Sequence, residues 1–406
     1  MLFYKFNRRM IQLSDRLLAM EESATIAMSR KSRELKDEGK DVISLSLGEP
    51  DFHTPDFVKN AAVEAMEQNY TTYTPVPGYD DLREAISKKF LRDNGLKYDK
   101  TQIVVSTGAK QSIANVVMSL VNPGDEVIIP APYWVSYIEI VKVAGGIPVI
   151  VNADITADFK VSGKELEPHI SDKTKLIMFS TPCNPTGSVY SKDELKDLAT
   201  TISKYKHVTV MCDEIYEHIN FVGKHESLAQ FDEVYDQVVT VNGVSKAWAM
   251  TGWRLGYIGA PKEIAAACSK VQGQFTSGAS SITQKASIAA MEKDPSFLKD
   301  MLDAFKNRRK LVLDALQKME GVKVNEPEGA FYFFPDISSF FGKSDGSHKI
   351  NNANDLSLYL LEEALVALVT GDAFGDPNCI RISYATDETT LTKAMNRIAE
   401  ALQKLS

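Results

Sequence analysis

Lys246 lies in Val244-Ser245-Lys246, just past an apolar run at 238–241. Another apolar run leads into Cys212-Asp213-Glu214-Ile215-Tyr216. A carboxylate and an amine at the ends of buried strands need partners, because an unpaired buried charge is expensive. Arg254 follows Lys246 by eight residues, in Thr251-Gly252-Trp253-Arg254. A lysine can form an imine, and an aspartate can pair with a protonated ring nitrogen. An arginine can grip a phosphate with its two-pronged fork. A ligand that is cationic at one end and anionic at the other satisfies all three, and pyridoxal phosphate is such a ligand.

Four further groups agree with it. Ser106-Thr107-Gly108-Ala109-Lys110 follows a strand and opens a helix. Free N–H groups at a helix start, beside a glycine, suit a phosphate; an ordinary strand-to-helix turn is the alternative. Ala131-Pro132-Tyr133-Trp134 follows the next strand, where Trp134 can stack on a planar ring or simply fill the core. Ser180-Thr181-Pro182-Cys183-Asn184-Pro185-Thr186-Gly187 fixes a rigid loop that aims Asn184, unless it is a plain turn. Asn378-Cys379-Ile380-Arg381-Ile382-Ser383-Tyr384 buries one arginine in an apolar strand. Its partner is either a substrate carboxylate or an acidic side chain. The first three residues keep a bland alternative too: Asp213 as a helix cap, and Lys246 and Arg254 as surface cations.

These residues need a scaffold. Apolar runs at 103–105, 126–129, 148–151, 175–179, 208–212, 238–241 and 255–259 are continuous and rich in Val and Ile. That is the pattern of strands covered on both faces. Helical stretches at 110–121, 133–144 and 191–204 separate several of them, which indicates a mostly parallel α/β sheet. An amphipathic helix is expected at 24–39, and further helices at 262–273, 281–293 and 296–319. The tail mixes strands at 330–335 and 380–384 with helices at 354–365 and 387–404. The expected organisation is an N-terminal arm and part of a small domain at 1–55, a large cofactor-binding domain at 56–300, and a small domain at 301–406.

Composition narrows the function. The 406 residues carry 46 Lys and Arg against 54 Asp and Glu, a net charge of −8. No basic excess exists to replace phosphate counterions, so no nucleic-acid partner is expected. No run approaches the roughly 20 apolar residues that span a bilayer, so no membrane partner is expected either. Cys183, Cys212, Cys268 and Cys379 are widely spaced and histidines number only six, which argues against a disulfide framework or a metal site. The first nine residues lack a secretory h-region and read as a leader, with Met10 as a possible start. The expected location is the cytoplasm.

Taken in order along the chain, the groups resemble the fold-type I pyridoxal-phosphate enzymes, and specifically class I aminotransferases of subgroup Ib, the prokaryotic-type aspartate aminotransferases. Ser46-Leu47-Gly48-Glu49-Pro50-Asp51-Phe52, Tyr73-Thr74-Pro75-Val76-Pro77-Gly78 and Ala249-Met250-Thr251-Gly252-Trp253-Arg254 extend the match from about residue 12 to the C-terminus. The resemblance implies a large mostly parallel-sheet domain and a smaller α+β domain built from both chain ends. It implies Lys246 as the Schiff-base lysine and proton shuttle, and Asp213 at the pyridine nitrogen. Tyr216 and Asn184 would bond the phenolic oxygen, and Trp134 would stack on the ring. Gly108, Ala109 and Arg254 would hold the phosphate, with Tyr73 reaching that of a neighbouring subunit in a homodimer with shared active sites. Arg381 would take the substrate α-carboxylate, Gly48 would touch substrate through its backbone, and Lys110 would suit a distal carboxylate.

The implied substrates are small amino acids and 2-oxo acids, with aspartate and 2-oxoglutarate first. An aromatic, prephenate or alanine aminotransferase, or a lyase of the same fold, is the alternative. A ligand sensor fused to a DNA-binding module would need a longer N-terminus and would not need Lys246. One departure concerns selectivity. Many subgroup Ib members carry a lysine before the Ser-Ala-Thr stretch, where this chain has Glu21 in Met20-Glu21-Glu22-Ser23-Ala24-Thr25. If Glu21 faces the site it repels a second carboxylate; if it faces solvent it matters little. Gln274-Phe275-Thr276-Ser277-Gly278-Ala279-Ser280 is a further candidate for lining the partner's site.

Overall fold

Seven Val- and Ile-rich segments pair into the central sheet of the computed structural model, which describes residues 13–406. The leader and the possible start at Met10 lie outside the described residues. The strands are β1 (Ile103–Ser106), β2 (Glu126–Ala131), β3 (Ile147–Asn152), β4 (Thr174–Ser180), β5 (Thr209–Asp213), β6 (Val238–Gly243) and β7 (Gly256–Gly259). Their order is β1-β7-β6-β5-β4-β2-β3. All neighbours run parallel except β7, which is antiparallel to both β1 and β6. Because β7 reverses twice, β1 again points the same way as the parallel strands. Their carboxyl ends therefore share one edge, where ligands of open α/β sheets bind.

Apart from the partly exposed edge strand β3, the sheet is dry on both faces. Ile103, Val105, Ile128, Ile177 and Val210 join one buried cluster, while Val104, Val127, Ile129, Met178 and Met211 join another. The alternation within each strand explains why the runs read as continuously apolar. Helices cover the faces. Ala109–Leu120 packs on Lys262–Phe275, and Ser281–Glu292 packs on Asp56–Glu67 and Asp80–Lys89.

The second layer joins both ends of the chain. Ile43–Ser44 pairs in parallel with Val366–Ala367. Ile380–Ser383 sits between Val369–Thr370 and Tyr332–Phe333 in a three-stranded antiparallel sheet. The helices Lys299–Leu316, Ala353–Glu363 and Glu388–Leu402 pack around it. The chain is thus an α/β protein with a mostly parallel sheet and a smaller α+β part assembled from distant segments. Among the described residues, no helix is long and apolar enough to cross a membrane.

Candidate active site

The strand ends deliver the chemistry to one cavity of about 370 Å³. Asp213 is the last residue of β5, and Lys246 lies just past β6. Trp134 follows β2, Ala109 and Lys110 open the helix after β1, and Asn184 follows β4. Gly48 and Arg381 arrive from the small-domain side. All of them, with Tyr216 and Arg254, line the cavity.

Arg381 is the most informative member. It is buried to 2% exposure inside the strand Ile380–Ser383. Its Nη1 donates to Asn184 Oδ1 at 3.0 Å and its Nη2 donates to the carbonyl of Ser46 at 2.5 Å. Its Nε has no hydrogen-bond partner, and no carboxylate pairs with it, among the described residues. The guanidinium stacks on Tyr332 and Phe374, at 4.7 and 4.8 Å from their ring centroids. Of the two readings of this arginine, an acidic side chain is therefore not its partner. A buried cation without a counter-ion beside a cavity is a receptor for an anion.

Lys246 donates from Nζ to the carbonyl of Gly48 at 2.6 Å. Burial first, and Arg381 next, lower its pKa to about 8. A neutral amine, able to act as nucleophile or base, is thus accessible near neutral pH. Asp213 takes the N–H of Ile215 at 3.2 Å and the Tyr137 hydroxyl at 3.1 Å. Burial raises its pKa to about 6. Tyr216 bonds the Tyr332 hydroxyl at 2.7 Å, and burial together with Tyr332 keeps it protonated.

The far end of the cavity suits an anion. Gly108 (φ +85°) is the residue before the Ala109–Leu120 helix, and no side chain caps that end. A Cβ on Gly108 would fall on the Arg254 guanidinium. The glycine therefore lets the arginine and the free helix N–H groups converge. Arg254 itself donates to the Thr251 carbonyl at 2.8 Å. Lys110 Nζ lies 4.9 Å from the Trp134 ring centroid, and burial, then Arg254, lower its pKa.

These observations fit pyridoxal phosphate. A buried carboxylate that pairs with no cation among the described residues suits a pyridinium, a part-neutral lysine suits an imine, and the Gly108–Arg254 corner suits a phosphate.

Of the residues weighed for the site, Tyr73, Phe275 and Glu21 sit elsewhere, and Gly108 flanks the cavity without lining it. Tyr73 is 98% exposed and does not line the cavity. It belongs to a segment that packs on residues 279–284, where Gln284 Nε2 donates to Thr74 Oγ1 at 3.1 Å. Phe275 is exposed nearby in sequence. Glu21 is exposed and outside the lining, and its backbone N–H donates to Glu139 Oε2 at 3.1 Å. The solvent-facing alternative for Glu21 is therefore the one observed. Sequence reasoning missed Tyr137 and Tyr332. Tyr137 falls three residues past Trp134, just beyond the quoted motif, a signal that was available. Tyr332 gave none, since its hydroxyl meets Tyr216 across 116 residues.

A family model described as aminotransferase class I and II matches residues 40–398. The chain is 47% identical to the bifunctional aspartate aminotransferase and glutamate/aspartate-prephenate aminotransferase of Petunia hybrida, over 97% of this chain and 83% of that one. It is 46% identical to a probable aspartate/prephenate aminotransferase of Rickettsia bellii, over 97% of this chain and 99% of that one. Among solved structures, the aspartate aminotransferase of Rhizobium meliloti superposes with a TM-score of 0.95 at 41% identity, covering 98% of this chain and 100% of that one. The Thermus thermophilus aspartate aminotransferase with maleate gives a TM-score of 0.91 at 39% identity, covering 97% and 100%.

Proposed function

The chain belongs to the class I and II aminotransferases, a family dependent on pyridoxal phosphate, and we propose that it moves the amino group of L-aspartate to 2-oxoglutarate. The observation that carries this reading is the unpaired buried Arg381 in the same cavity as Lys246 and Lys110. One cation suits the α-carboxylate that every amino acid has, and another suits a distal carboxylate.

When bound, pyridoxal phosphate supplies an aldehyde that condenses with amines and a ring that stabilises the electron pair released at the substrate Cα. Lys246 would hold it covalently. Asp213 would face its ring nitrogen, with Tyr137 fixing the carboxylate. Tyr216 and Asn184 would bond its phenolic oxygen, and Trp134 would lie against the ring. Gly108, Ala109 and Arg254 would hold its phosphate, with Tyr73 supplied by a second copy.

The residues then divide the work. Arg381 grips the α-carboxylate through its fork, and Asn184, already bonded to Arg381, shares that contact. Lys110 meets the distal carboxylate. Gly48 brings its backbone against the substrate, since a Cβ there would collide with the Tyr332 hydroxyl. Nζ of Lys246, in its neutral form, would take up and return the proton at the substrate Cα. Closure of the small domain over the cavity would exclude water during this transfer. The net exchange converts aspartate and 2-oxoglutarate to oxaloacetate and glutamate. We take the enzyme to be a cytoplasmic homodimer divided at 1–55, 56–300 and 301–406. The exposed Tyr73 and the four unpaired buried thiols support that view.

A half-reaction tests the assignment. Single amino acids are added to the purified enzyme and the cofactor's absorbance is followed from its aldehyde to its amine form. Fast conversion by aspartate and glutamate supports the proposal. Fast conversion by aromatic or small neutral amino acids, with aspartate slow, refutes it. Prephenate as a second amino acceptor is the alternative, and Glu21 does not oppose it, because it lies outside the lining and its charge does not face a second carboxylate. The aspartate/prephenate names of several relatives agree with it.

A further inference from the structure

The segment after β5 reads Asp213-Glu214-Ile215-Tyr216-Glu217, with two acids that the proposed chemistry leaves unused. Asp213 and Tyr216 line the catalytic cavity, whereas Glu217 lines a separate one of about 300 Å³. Glu214 is fully buried and Glu217 is 5% exposed. Charges placed this deep need a network.

That network links both acids, although Glu214 Oε1 and His225 Nδ1 have no hydrogen-bond partner among the described residues. Glu214 Oε2 accepts from Ser227 Oγ at 2.7 Å and lies 3.0 Å from His225 Nε2. Ser227 Oγ lies 3.4 Å from Asn94 Nδ2, and the same Asn94 nitrogen donates to Glu217 Oε2 at 2.8 Å. Asn94 Oδ1 accepts from Lys89 Nζ at 2.9 Å, and Lys89 pairs with Glu217. His218 Nε2 is 3.3 Å from Glu217 Oε1. Lys89, Asn94 and Ser227 are all buried and come from two other parts of the chain. Burial works against the charge on Glu217, but Lys89 and the two histidines outweigh it and hold the carboxyl well below its usual range. Glu217 is therefore a fixed anion clamped from several sides.

We propose that Glu214 and Glu217, clamped by Ser227, Asn94 and Lys89, are positioning residues for Asp213 and Tyr216. The backbone ties leave little freedom between the two sets. Glu214 N–H donates to the Val241 carbonyl at 2.9 Å, Glu217 N–H to the Glu214 carbonyl at 2.9 Å, and Ile219 N–H to the Tyr216 carbonyl at 2.7 Å. With four side chains on one short turn, fixing the rear pair fixes the direction of the front pair. This inference rests on the reading that Asp213 and Tyr216 hold the cofactor.

The test uses the full chain with Ser227→Ala, Glu214→Gln and the double variant. Three quantities are measured: the dissociation constant of pyridoxal phosphate from the apoprotein, the pH midpoint of the bound cofactor's visible absorbance, and the apoprotein Tm. Outer partners of a ligating group typically act on a roughly tenfold scale. Each single variant is expected to weaken cofactor binding by about that factor and to move the absorbance midpoint. The double variant should be no worse than the poorer single, because both lesions cut one chain. A lowered Tm with wild-type affinity and midpoint would overturn the proposal and leave the network merely structural. Should Glu214→Gln fail to fold, Ser227→Ala removes one hydroxyl and decides alone. Asp213→Asn is the control. If it changes affinity and midpoint while the network variants do not, positioning alone is wrong. If it changes neither, the cofactor assignment falls and takes the inference with it.

Discussion

Arg381 and Lys246 depend on each other electrically. Both are cationic and line one cavity, Arg381 buried and Lys246 half-buried, and Arg381 is the second cause that lowers the Lys246 pKa. A substrate carboxylate on Arg381 removes that repulsion. Arg381→Ala should therefore lower kcat/KM for every amino acid by at least about a hundredfold, the scale of losing one side of a buried charged pair. Steady-state kinetics with aspartate, glutamate and a neutral amino acid check this. A defect confined to dicarboxylates would move Arg381 to the distal group. Lys246 also makes a stability prediction. Its folded pKa of about 8 lies below the ordinary 10.5, so the unfolded chain binds the proton more tightly. The resulting penalty is complete below pH 8 and fades as pH rises from 8 to 10.5. Lys246→Met should thus make the apoprotein ~3 kcal/mol more stable at pH 7, with the gain vanishing near pH 10.5. Denaturant unfolding of the two apoproteins at both pH values measures it, and an equal gain at both would refute the linkage. The same variant should show no transamination.

At the scale of elements, the helix Ala109–Leu120 is as important as any side chain. Its N-terminus is open because Gly108 takes φ +85° and leaves room for Arg254. Gly108→Ala should strain the backbone by ~1 kcal/mol and push the guanidinium away, weakening cofactor binding by at least about tenfold. Titration of the apoprotein with pyridoxal phosphate is the check, and unchanged affinity would move the phosphate elsewhere. The sheet itself was legible in the chain. All seven strands fall on apolar runs, because a strand covered on both faces favours apolar residues at successive positions. Direction was not legible: nothing in Gly256–Gly259 says that β7 runs antiparallel. The helix Asp80–Lys89 also escaped notice, since its buried positions include Lys89 among mostly polar neighbours. At the site, residues on sharp local motifs, such as Asn184 between two prolines, could be placed from sequence. Tyr137 and Tyr332 act through partners 76 and 116 residues away, and those meetings are decided by tertiary packing alone.

The whole molecule leaves one expected contact unmade within a single chain. The corner at Gly108 and Arg254 lies towards solvent, Arg254 being exposed, and Tyr73 stands almost wholly exposed outside the cavity. An exposed tyrosine with exposed Phe275, Val63 and Met66 in neighbouring elements is costly to keep in water unless another surface covers it. A second copy would cover it and bring Tyr73 to the other copy's phosphate corner. The two active sites would then each need two chains. Tyr73→Ala and Lys246→Ala should each be impaired alone, the first in cofactor affinity and the second in chemistry. Mixed after dissociation and reassociation, they should form hybrids in which one site carries both lesions and the other carries neither. Activity at limiting cofactor should then exceed the sum of the two separate variants. If each chain completed its own site, mixing would add nothing beyond that sum, and Tyr73 would be a surface residue of the interface with no part in holding the phosphate.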